Sequence, residues 1–169
     1  MATTPKLYVG TYAKYNNGSL FGEWVDLTDF SDFGEFMDHI SELHSDEEYP
    51  EFMFQDFEGF PKCWYSESGI DEETFDKIIE FSELDDDQQN AVETFLEYKG
   101  ANWDISDITD AYQGYYSSEA DFGYEMGEQM LDDNNAPQWM YNYFDYEKYG
   151  RELCMGDFDY FDGYVFKAI

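Results

Sequence analysis

The chain has 169 residues, of which 40 are Asp or Glu and only eight are Lys or Arg, so its formal net charge is -32. Phe, Trp and Tyr make up 21% of the residues. High charge with few aromatic residues would indicate disorder, whereas this number of rings supplies the apolar surface that a fold needs. The charge argues against nucleic acid and anionic membranes as partners and favours a positively charged partner.

The length fits one compact unit or two to three small ones. No apolar run approaches the roughly 18 residues of a membrane span, and the first residues lack the basic and apolar stretches of a secretory signal. Cys63 and Cys154 lie far apart without CxxC spacing. We expect both to be small core residues of a protein in a reducing compartment, which makes the cytoplasm the expected location.

The first predicted domain, residues 1–61, has the order ββαβ. Residues 7–12 and 20–27 are rich in aromatic and β-branched side chains and flank an Asn-Asn-Gly turn, which predicts a β-hairpin. Apolar residues recur at helical spacing over residues 32–44 and predict a helix. Residues 52–57 favour a third strand, which the following Gly and Pro end.

The second predicted domain, residues 62–103, is helical. Asp71 is expected to cap a first helix, and the acidic cluster that begins at Asp85 is expected to start a second one. Gly100 is in the position of a helix stop. Each of these helices is too short to be stable alone, so both need their neighbours.

The third predicted domain, residues 104–169, mixes helices and strands. The predicted elements are a helix over 105–112, a strand starting at Tyr115 and Tyr116, helices over 118–132 and 146–153, and a hairpin of 158–161 with 164–167. Ser118 resembles the first residue of a capping box, and Asp162-Gly163 is a strong hairpin turn. The overall prediction is an α+β fold of three small domains, which charge repulsion extends into an elongated chain.

Acidic residues recur at helical spacing on three predicted helices and along the preceding hairpin. They are Glu23, Asp26, Asp29, Asp32, Glu35, Asp38 and Glu42 in the first domain, Glu72, Asp76, Glu80 and Glu83 in the second, and Asp121, Glu125, Glu128 and Asp132 in the third. Four helical residues rise about 6 Å, close to the spacing of neighbouring phosphates along a strand. Like charges at this spacing cost a few tenths of a kcal/mol each, and these helices almost never intersperse Lys.

Two interpretations of these acids remain open. They imitate the phosphates of a nucleic acid, or they form the solvated surface of a salt-adapted or cation-binding acidic protein that has no partner with a DNA-binding groove. The second interpretation predicts the acid excess but not the 16 Phe, 16 Tyr and 4 Trp residues. We therefore favour the first.

Other chemistry has little support in the sequence. His39 and His44 are five residues apart, whereas metal ligands on one helix face favour a spacing of four, and we expect ordinary, partly exposed histidines. Asp157 and Asp159 resemble the start of a calcium loop, but Ala168 stands where a Glu ligand is needed. An acidic hydrolase would need one carboxyl of raised pKa in a pocket, and nothing singles one out. We expect a binding protein with no catalytic residues, cofactor or metal.

Four segments resemble the ArdA antirestriction proteins. They are YVGTYAKYNNGSLFGEWVDL at 8–27, FMFQDFEGFP at 52–61, AYQGYYSSEADFGYE at 111–125 and YFDYEKYGREL at 143–153. The segments follow one another in the family's order and span nearly the whole chain. The first segment is the most specific, because acidic helices occur in many proteins.

The resemblance implies an inhibitor that is carried by mobile genetic elements such as conjugative plasmids and transposons. ArdA proteins are elongated, curved homodimers whose carboxylates imitate the phosphates of a bent duplex. They occupy the DNA-binding groove of type I restriction–modification enzymes, so that incoming DNA escapes cleavage, and modification can be blocked too. The implied fold has three domains, mixed α/β, helical and mixed α/β.

Dimerisation through the third domain is also implied by the resemblance. An aromatic cluster in that domain is a candidate dimer contact. Its members are Tyr112, Tyr115, Tyr116 and Phe122. These rings either belong to the core or form an exposed patch, since aromatic residues favour the centres of interfaces.

Overall fold

The computed structural model describes residues 3–169 and shows a protein of mixed α and β structure. This part of the chain contains eight α-helices and two three-stranded antiparallel sheets, which confirms the α+β class. The chain divides into two compact units, Met1–Ile105 and Ser106–Ile169. The elongated arrangement of three domains, with boundaries near residues 61 and 103, remains a prediction. No helix within residues 3–169 is long and apolar enough to cross a membrane.

The first unit combines one sheet with helices. Its elements are β1 (Lys6–Thr11), α1 (Tyr12–Asn16), β2 (Glu23–Asp26), α2 (Phe33–Leu43), β3 (Phe52–Glu58), α3 (Glu72–Ser82) and α4 (Asp86–Lys99), with 3-10 turns at Leu27–Asp29 and Lys62–Trp64. The central strand β1 pairs antiparallel with both β2 and β3. The predicted pairing of the first two strands is confirmed.

The connection between β1 and β2 differs from the predicted tight turn. Helix α1 follows β1 directly, because the hydroxyl of Thr11 accepts a hydrogen bond from the amide of Lys14 at 3.2 Å and caps a short helical turn. Strand β2 therefore begins at Glu23 rather than at Leu20.

Three Asp side chains start the three longer helices of the first unit. Asp32, Asp71 and Asp85 cap α2, α3 and α4, each accepting the backbone amide three residues on at 2.8–2.9 Å. Such a cap contributes about 1 kcal/mol, because it satisfies an amide that has no partner within the helix. Helix α4 ends at Gly100, which has a positive φ of 92°. These boundaries confirm the predicted helix starts and stop.

An aromatic cluster forms the core of the first unit. The fully buried ring of Phe36 on α2 lies 5.7 Å from that of Phe75 on α3 and 6.2 Å from that of Phe54 on β3, between ring centroids. Edge-on and offset contacts of this kind contribute about 0.5–1.5 kcal/mol beyond the area they bury. Phe36 thus joins the acidic helices α2 and α3 to the sheet.

The second unit begins within a helix and closes with a hairpin. Its elements are α5 (Ile105–Ala111), β4 (Tyr112–Tyr115), α6 (Glu119–Asp133), α7 (Gln138–Tyr141), α8 (Tyr146–Cys154), β5 (Phe158–Phe161) and β6 (Tyr164–Lys167). Strand β6 lies between β4 and β5. The predicted hairpin is confirmed, and its turn residues Asp162 and Gly163 both have positive φ angles, as a type I′ turn requires.

Helices α6 and α8 pack closely because glycines face one another. A Cβ atom on Gly150 would lie 2.0 Å from the carbonyl oxygen of Glu119, and one on Gly123 would lie 2.3 Å from that of Tyr146. No side chain fits at these distances, so the two backbones are in direct contact. This contact holds α6, which carries the acids of the second unit, in place.

Three predictions of local structure need correction. Strand β4 begins at Tyr112 and ends before Tyr116, and the short helix α7 was not predicted. Cys63 is exposed rather than in the core, because the neighbouring Trp64 takes the buried position in the same 3-10 turn. Cys154 is half-buried, and both thiols are free.

Candidate functional site

The acidic residues of the predicted mimic surface lie almost entirely on the outside. Of the fifteen, thirteen are exposed, and only Asp26 and Glu128 are half-buried. The excess is not confined to one part of the chain, since residues 1–105 hold 26 acidic and five basic residues and residues 106–169 hold 14 and three. Exposure makes these carboxylates accessible to a partner. Their role in imitating phosphates remains a prediction.

Some of the acids in the first unit also hold its backbone. Asp26 accepts the amide and the hydroxyl of Thr28 at 2.9 and 2.7 Å. Glu35 accepts the amide of Ser31 at 3.0 Å while its own amide donates to Asp32, so the two side chains form a reciprocal cap on α2. Their positions are therefore fixed by hydrogen bonds to the main chain.

The acids along α3 are different. The α3 stripe consists of Glu72, Asp76 and Glu80 on the helix and Glu83 directly after its last residue. All four are exposed, and within residues 3–169 none of their carboxylates takes part in a hydrogen bond or ion pair. No direct contact depends on their charge, and neighbours along the stripe repel each other.

Two of the four acids on α6 are instead held by tyrosines. The α6 stripe consists of Asp121, Glu125, Glu128 and Asp132. Tyr116 donates its hydroxyl to Glu125 at 3.1 Å, and Tyr141 donates to Asp132. Two of the four carboxylates thus have a fixed direction.

Neighbouring carboxylates also raise the pKa values of these tyrosines. The hydrogen bond to Asp132 raises the pKa of Tyr141 to about 12, and the carboxylate of Glu128 raises the pKa of Tyr124. Burial, followed by the bond to Glu125, raises the pKa of Tyr116. A phenolate beside a carboxylate would place two negative charges together, so the hydroxyls stay protonated and keep donating.

Several of the few basic residues form ion pairs with acids of the protein itself. The side chains of Lys14 and Lys77 are only 15% and 20% exposed. Lys77 pairs with Glu73 at 2.9 Å and lies 3.9 Å from Asp104. On α8, Lys148 and Arg151 pair with carboxylates one helical turn away. Half of the eight bases are thereby neutralised, which leaves the negative field of the surface nearly uninterrupted.

Lys14 lies at the centre of a cluster that the sequence did not predict. Its Nζ lies 2.8 Å from Nδ1 of His44, 2.7 Å from Asp46 and 3.3 Å from Glu47. His44 is fully buried, not partly exposed as expected, and its Nε2 lies 3.2 Å from the carbonyl oxygen of Val9. A carbonyl only accepts, so Nε2 donates to Val9 and Nδ1 accepts from the ammonium of Lys14.

Three residues of the same cluster lie as close together as the ligands of a metal ion. One ligand atom each from His44, Asp46 and Glu47 fall within 4.8 Å of one another. The ammonium of Lys14 contacts all three and supplies the positive charge that an ion would bring. Burial opposes the charged form of Lys14, but the hydrogen bonds to Asp46 and Glu47 prevail and raise its pKa. The cluster is therefore a structural ion pair in this fold.

One carboxyl that lines a groove has a pKa above its ordinary value. Partial burial raises the pKa of Glu93, which lines a groove of about 760 Å³ together with Phe60, Cys63 and Glu97. Although Cys63 is exposed overall, partial desolvation raises the pKa of its thiol, so that thiol stays protonated and is a poor nucleophile. The lining residues include no histidine or serine. The lining of this groove therefore includes no activated nucleophile.

The aromatic candidates for a dimer contact differ in accessibility. Phe122 is buried, and its ring contacts those of Tyr116 and Phe158 edge-on at 5.0 and 4.9 Å. Tyr112 is half-buried against Phe166, whereas Tyr115 is exposed. Of the four, Tyr115 presents the most ring surface to solvent. Their role in a dimer remains a prediction.

Together these features define a strongly acidic α+β protein whose carboxylates are largely exposed and half of whose bases are paired. The family model of the ArdA antirestriction proteins matches residues 7–166, so the chain belongs to that family and is an antirestriction protein. The resemblance seen in the sequence is thus confirmed. No curated protein matches the chain.

Proposed function

We propose that this antirestriction protein acts as a DNA mimic that occupies the DNA-binding groove of type I restriction–modification enzymes. The observation that carries the proposal is the arrangement of exposed acids at helical spacing on α2, α3 and α6. A groove that binds DNA is lined with Lys and Arg that neutralise phosphates. Carboxylates at repeated intervals of about 6 Å meet such a groove with the same sign and a similar repeat.

The hydrogen bonds within the surface support recognition as well as charge. A long acidic side chain loses conformational freedom when it binds, and that loss weakens association. On α6 the hydroxyls of Tyr116 and Tyr141 restrict two carboxylates beforehand. Part of the entropy cost is then met during folding rather than during binding.

Affinity should be spread over many contacts. An exposed ion pair contributes about 0.2–1 kcal/mol, so removing one acid should weaken binding by about fivefold at most. Removing a whole stripe should matter far more. Inhibition should also weaken with added salt, since the Debye length falls from about 10 Å at 0.1 M to about 3 Å at 1 M.

The proposal includes a homodimer in the cytoplasm, where restriction enzymes meet incoming DNA. Restriction is blocked because the groove is already filled, and modification by the same enzyme can be blocked for the same reason. The acids need no catalytic role in this mechanism.

The test is competition for a purified type I methyltransferase core. Labelled duplex DNA is bound to the enzyme, and the protein is added at increasing salt concentration. Displacement of the duplex, with an inhibition constant that weakens as salt rises, is the expected result. An enzyme that binds the protein and the duplex at the same time would refute mimicry. Stabilisation only by molar salt or by divalent cations, with no DNA-competitive binding, would support the salt-adapted alternative.

A further inference from the structure

A patch of apolar side chains interrupts the acidic surface of the first unit. Leu20 is 71% exposed, Phe21 49% and Trp24 43%. Leu20 and Phe21 belong to a stretch of 22 residues at the start of the chain that contains no acid. On a chain with a net charge of -32, such a stretch is conspicuous. We call Leu20, Phe21 and Trp24 the apolar patch.

The backbone beneath the patch is held firmly. The hydroxyl of Tyr8 donates to the carbonyl oxygen of Leu20 at 3.0 Å, and the amide of Phe21 donates to Ser19 at 3.2 Å. Gly22 allows the segment to lie directly on β1, since a Cβ there would be 2.5 Å from the carbonyl oxygen of Val9. The segment is fixed at three successive residues, although Leu20 packs against little.

The rings of the patch are supported from below. The ring of Phe21 meets that of buried His44 edge-on at 5.7 Å, and Nζ of Lys14 lies 5.0 Å from its centroid. The ring of Trp24 meets that of Tyr8 edge-on at 5.6 Å. Tyr8 thus contacts both Trp24 and the backbone of Leu20, so the patch is one surface. A rigid, exposed apolar surface has already lost the entropy that binding would cost.

Charge indicates what covers the patch. Strand β2 is at the edge of its sheet, and it carries Glu23 and Asp26 beside the patch. A second copy of this chain placed there would bring acidic edges together, and like charges in contact are costly. A partner with positive charge around an apolar area would neutralise the acids and bury the patch.

We propose that the apolar patch docks on an apolar surface at the border of the basic DNA-binding groove of the restriction enzyme. This inference rests on the proposed function. Duplex DNA carries no aliphatic side chain that could make this contact, so the patch gives the protein affinity that its competitor lacks. Apolar burial is not screened by salt, so the contribution persists where the ion pairs weaken.

Variants of Leu20 test this docking surface. Leu20→Ala removes exposed apolar area but leaves the backbone carbonyl that Tyr8 binds, so the fold should be kept. Leu20→Met is the matched control, since it keeps the apolar volume. Tyr49→Ala removes an aromatic side chain of the first unit that is 87% exposed and does not belong to the apolar patch, so it controls for the loss of exposed apolar area as such. Circular dichroism of each variant checks the fold.

The measurement is displacement of duplex DNA from a purified type I methyltransferase core at low and at high salt. Leu20→Ala should bind roughly 5- to 20-fold more weakly, by the same factor at both salt concentrations. Leu20→Met and Tyr49→Ala should bind like the wild type. If Leu20→Ala binds with wild-type affinity, or if its loss of affinity vanishes at high salt, the docking proposal is wrong and the proposal of DNA mimicry still stands.

Two further outcomes separate the two proposals. If Leu20→Ala converts a dimer to a monomer in analytical ultracentrifugation, a second copy covers the patch and the inference is wrong. If the wild-type protein does not displace DNA at all, the proposed function fails, and the docking surface fails with it.

Discussion

Removing the charge of the α3 stripe offers the clearest test of how the acids act. The variant Glu72→Gln, Asp76→Asn, Glu80→Gln and Glu83→Gln keeps the size of all four side chains. No hydrogen bond or ion pair within residues 3–169 involves these carboxylates, so their neutralisation breaks no contact. Lys77 keeps its partner Glu73.

The expected effect on folding is small and favourable. The stripe contains three neighbouring like-charged pairs three or four residues apart, and relief of each is worth about 0.2–0.5 kcal/mol. Loss of Glu72 near the start of α3 removes a favourable interaction with the helix dipole of about 0.3–1 kcal/mol. The free energy of unfolding, measured by urea denaturation, should stay unchanged or rise by up to about 1 kcal/mol.

The expected effect on binding is large. Four exposed ion pairs at about 0.2–1 kcal/mol each amount to about 0.8–4 kcal/mol, which corresponds to roughly fourfold to several-hundred-fold weaker binding. Displacement of duplex DNA from a type I methyltransferase core measures this loss. The dependence of the inhibition constant on salt should become shallower as well, because fewer charges are engaged.

A charge-conserving variant is the matched control. Glu72→Asp, Asp76→Glu, Glu80→Asp and Glu83→Asp keeps four negative charges and costs only a few tenths of a kcal/mol in helix propensity per Asp. It should inhibit nearly as well as the wild type. A stable neutralised variant that still inhibits fully would show that the α3 stripe lies outside the interface. Equal loss in both variants would show that side-chain shape, not charge, is recognised.

Three other changes probe the contacts around the acids. Tyr141→Phe should remove a group titrating near pH 12 from the ultraviolet titration of the tyrosines. Because a raised pKa in the folded state gives stability that is lost as pH rises through it, the wild type should lose stability above pH 10 more steeply than the variant. Identical alkaline titrations would contradict the bond to Asp132. Lys14→Met should destabilise the first unit by about 1–3 kcal/mol in urea denaturation, since it leaves the buried ring nitrogen of His44 without its donor; a loss below about 0.5 kcal/mol would refute the ion-pair role. Asp71→Ala should lower the free energy of unfolding by about 1 kcal/mol. Since bonds to Thr74 lower the pKa of Asp71, this stability difference should be present above pH 4 and fade as pH falls through that lowered pKa. A stability difference that persists in strong acid would argue against the cap.

The helix starts were readable from the sequence because the determinants are local. Asp32, Asp71, Asp85 and Ser118 each precede an apolar stripe, and each caps a helix in the structure. The hairpin around Asp162-Gly163 is local in the same way. Capping and tight turns depend on residues two to four positions apart, so sequence spacing suffices to predict them.

Features that depend on distant residues were missed. The buried ring of His44 contacts Lys14 and the carbonyl of Val9, which are 30 and 35 positions away. The sequence predicts a turn where α1 lies, because the Asn-Asn-Gly at its end is a turn signal and five helical residues show no clear period. Spacing alone cannot show either feature.

Exposure of the acids could be predicted from the sequence, whereas their contacts could not. Most of the periodic acids are exposed, since a charged side chain is rarely buried without a partner. The tyrosine hydrogen bonds to acids of α6 lack the i, i+4 spacing that a sequence can reveal. Tyr116 with Glu125 and Tyr141 with Asp132 are nine positions apart, and the fold alone brings them together.

The ammonium of Lys14 performs a task that strongly acidic proteins commonly leave to dissolved cations. It is attached to the chain and cannot be washed away, so this corner of the first unit should tolerate dialysis against a chelator such as EDTA. A melting temperature that is insensitive to such dialysis would reflect a counterion built into the polypeptide.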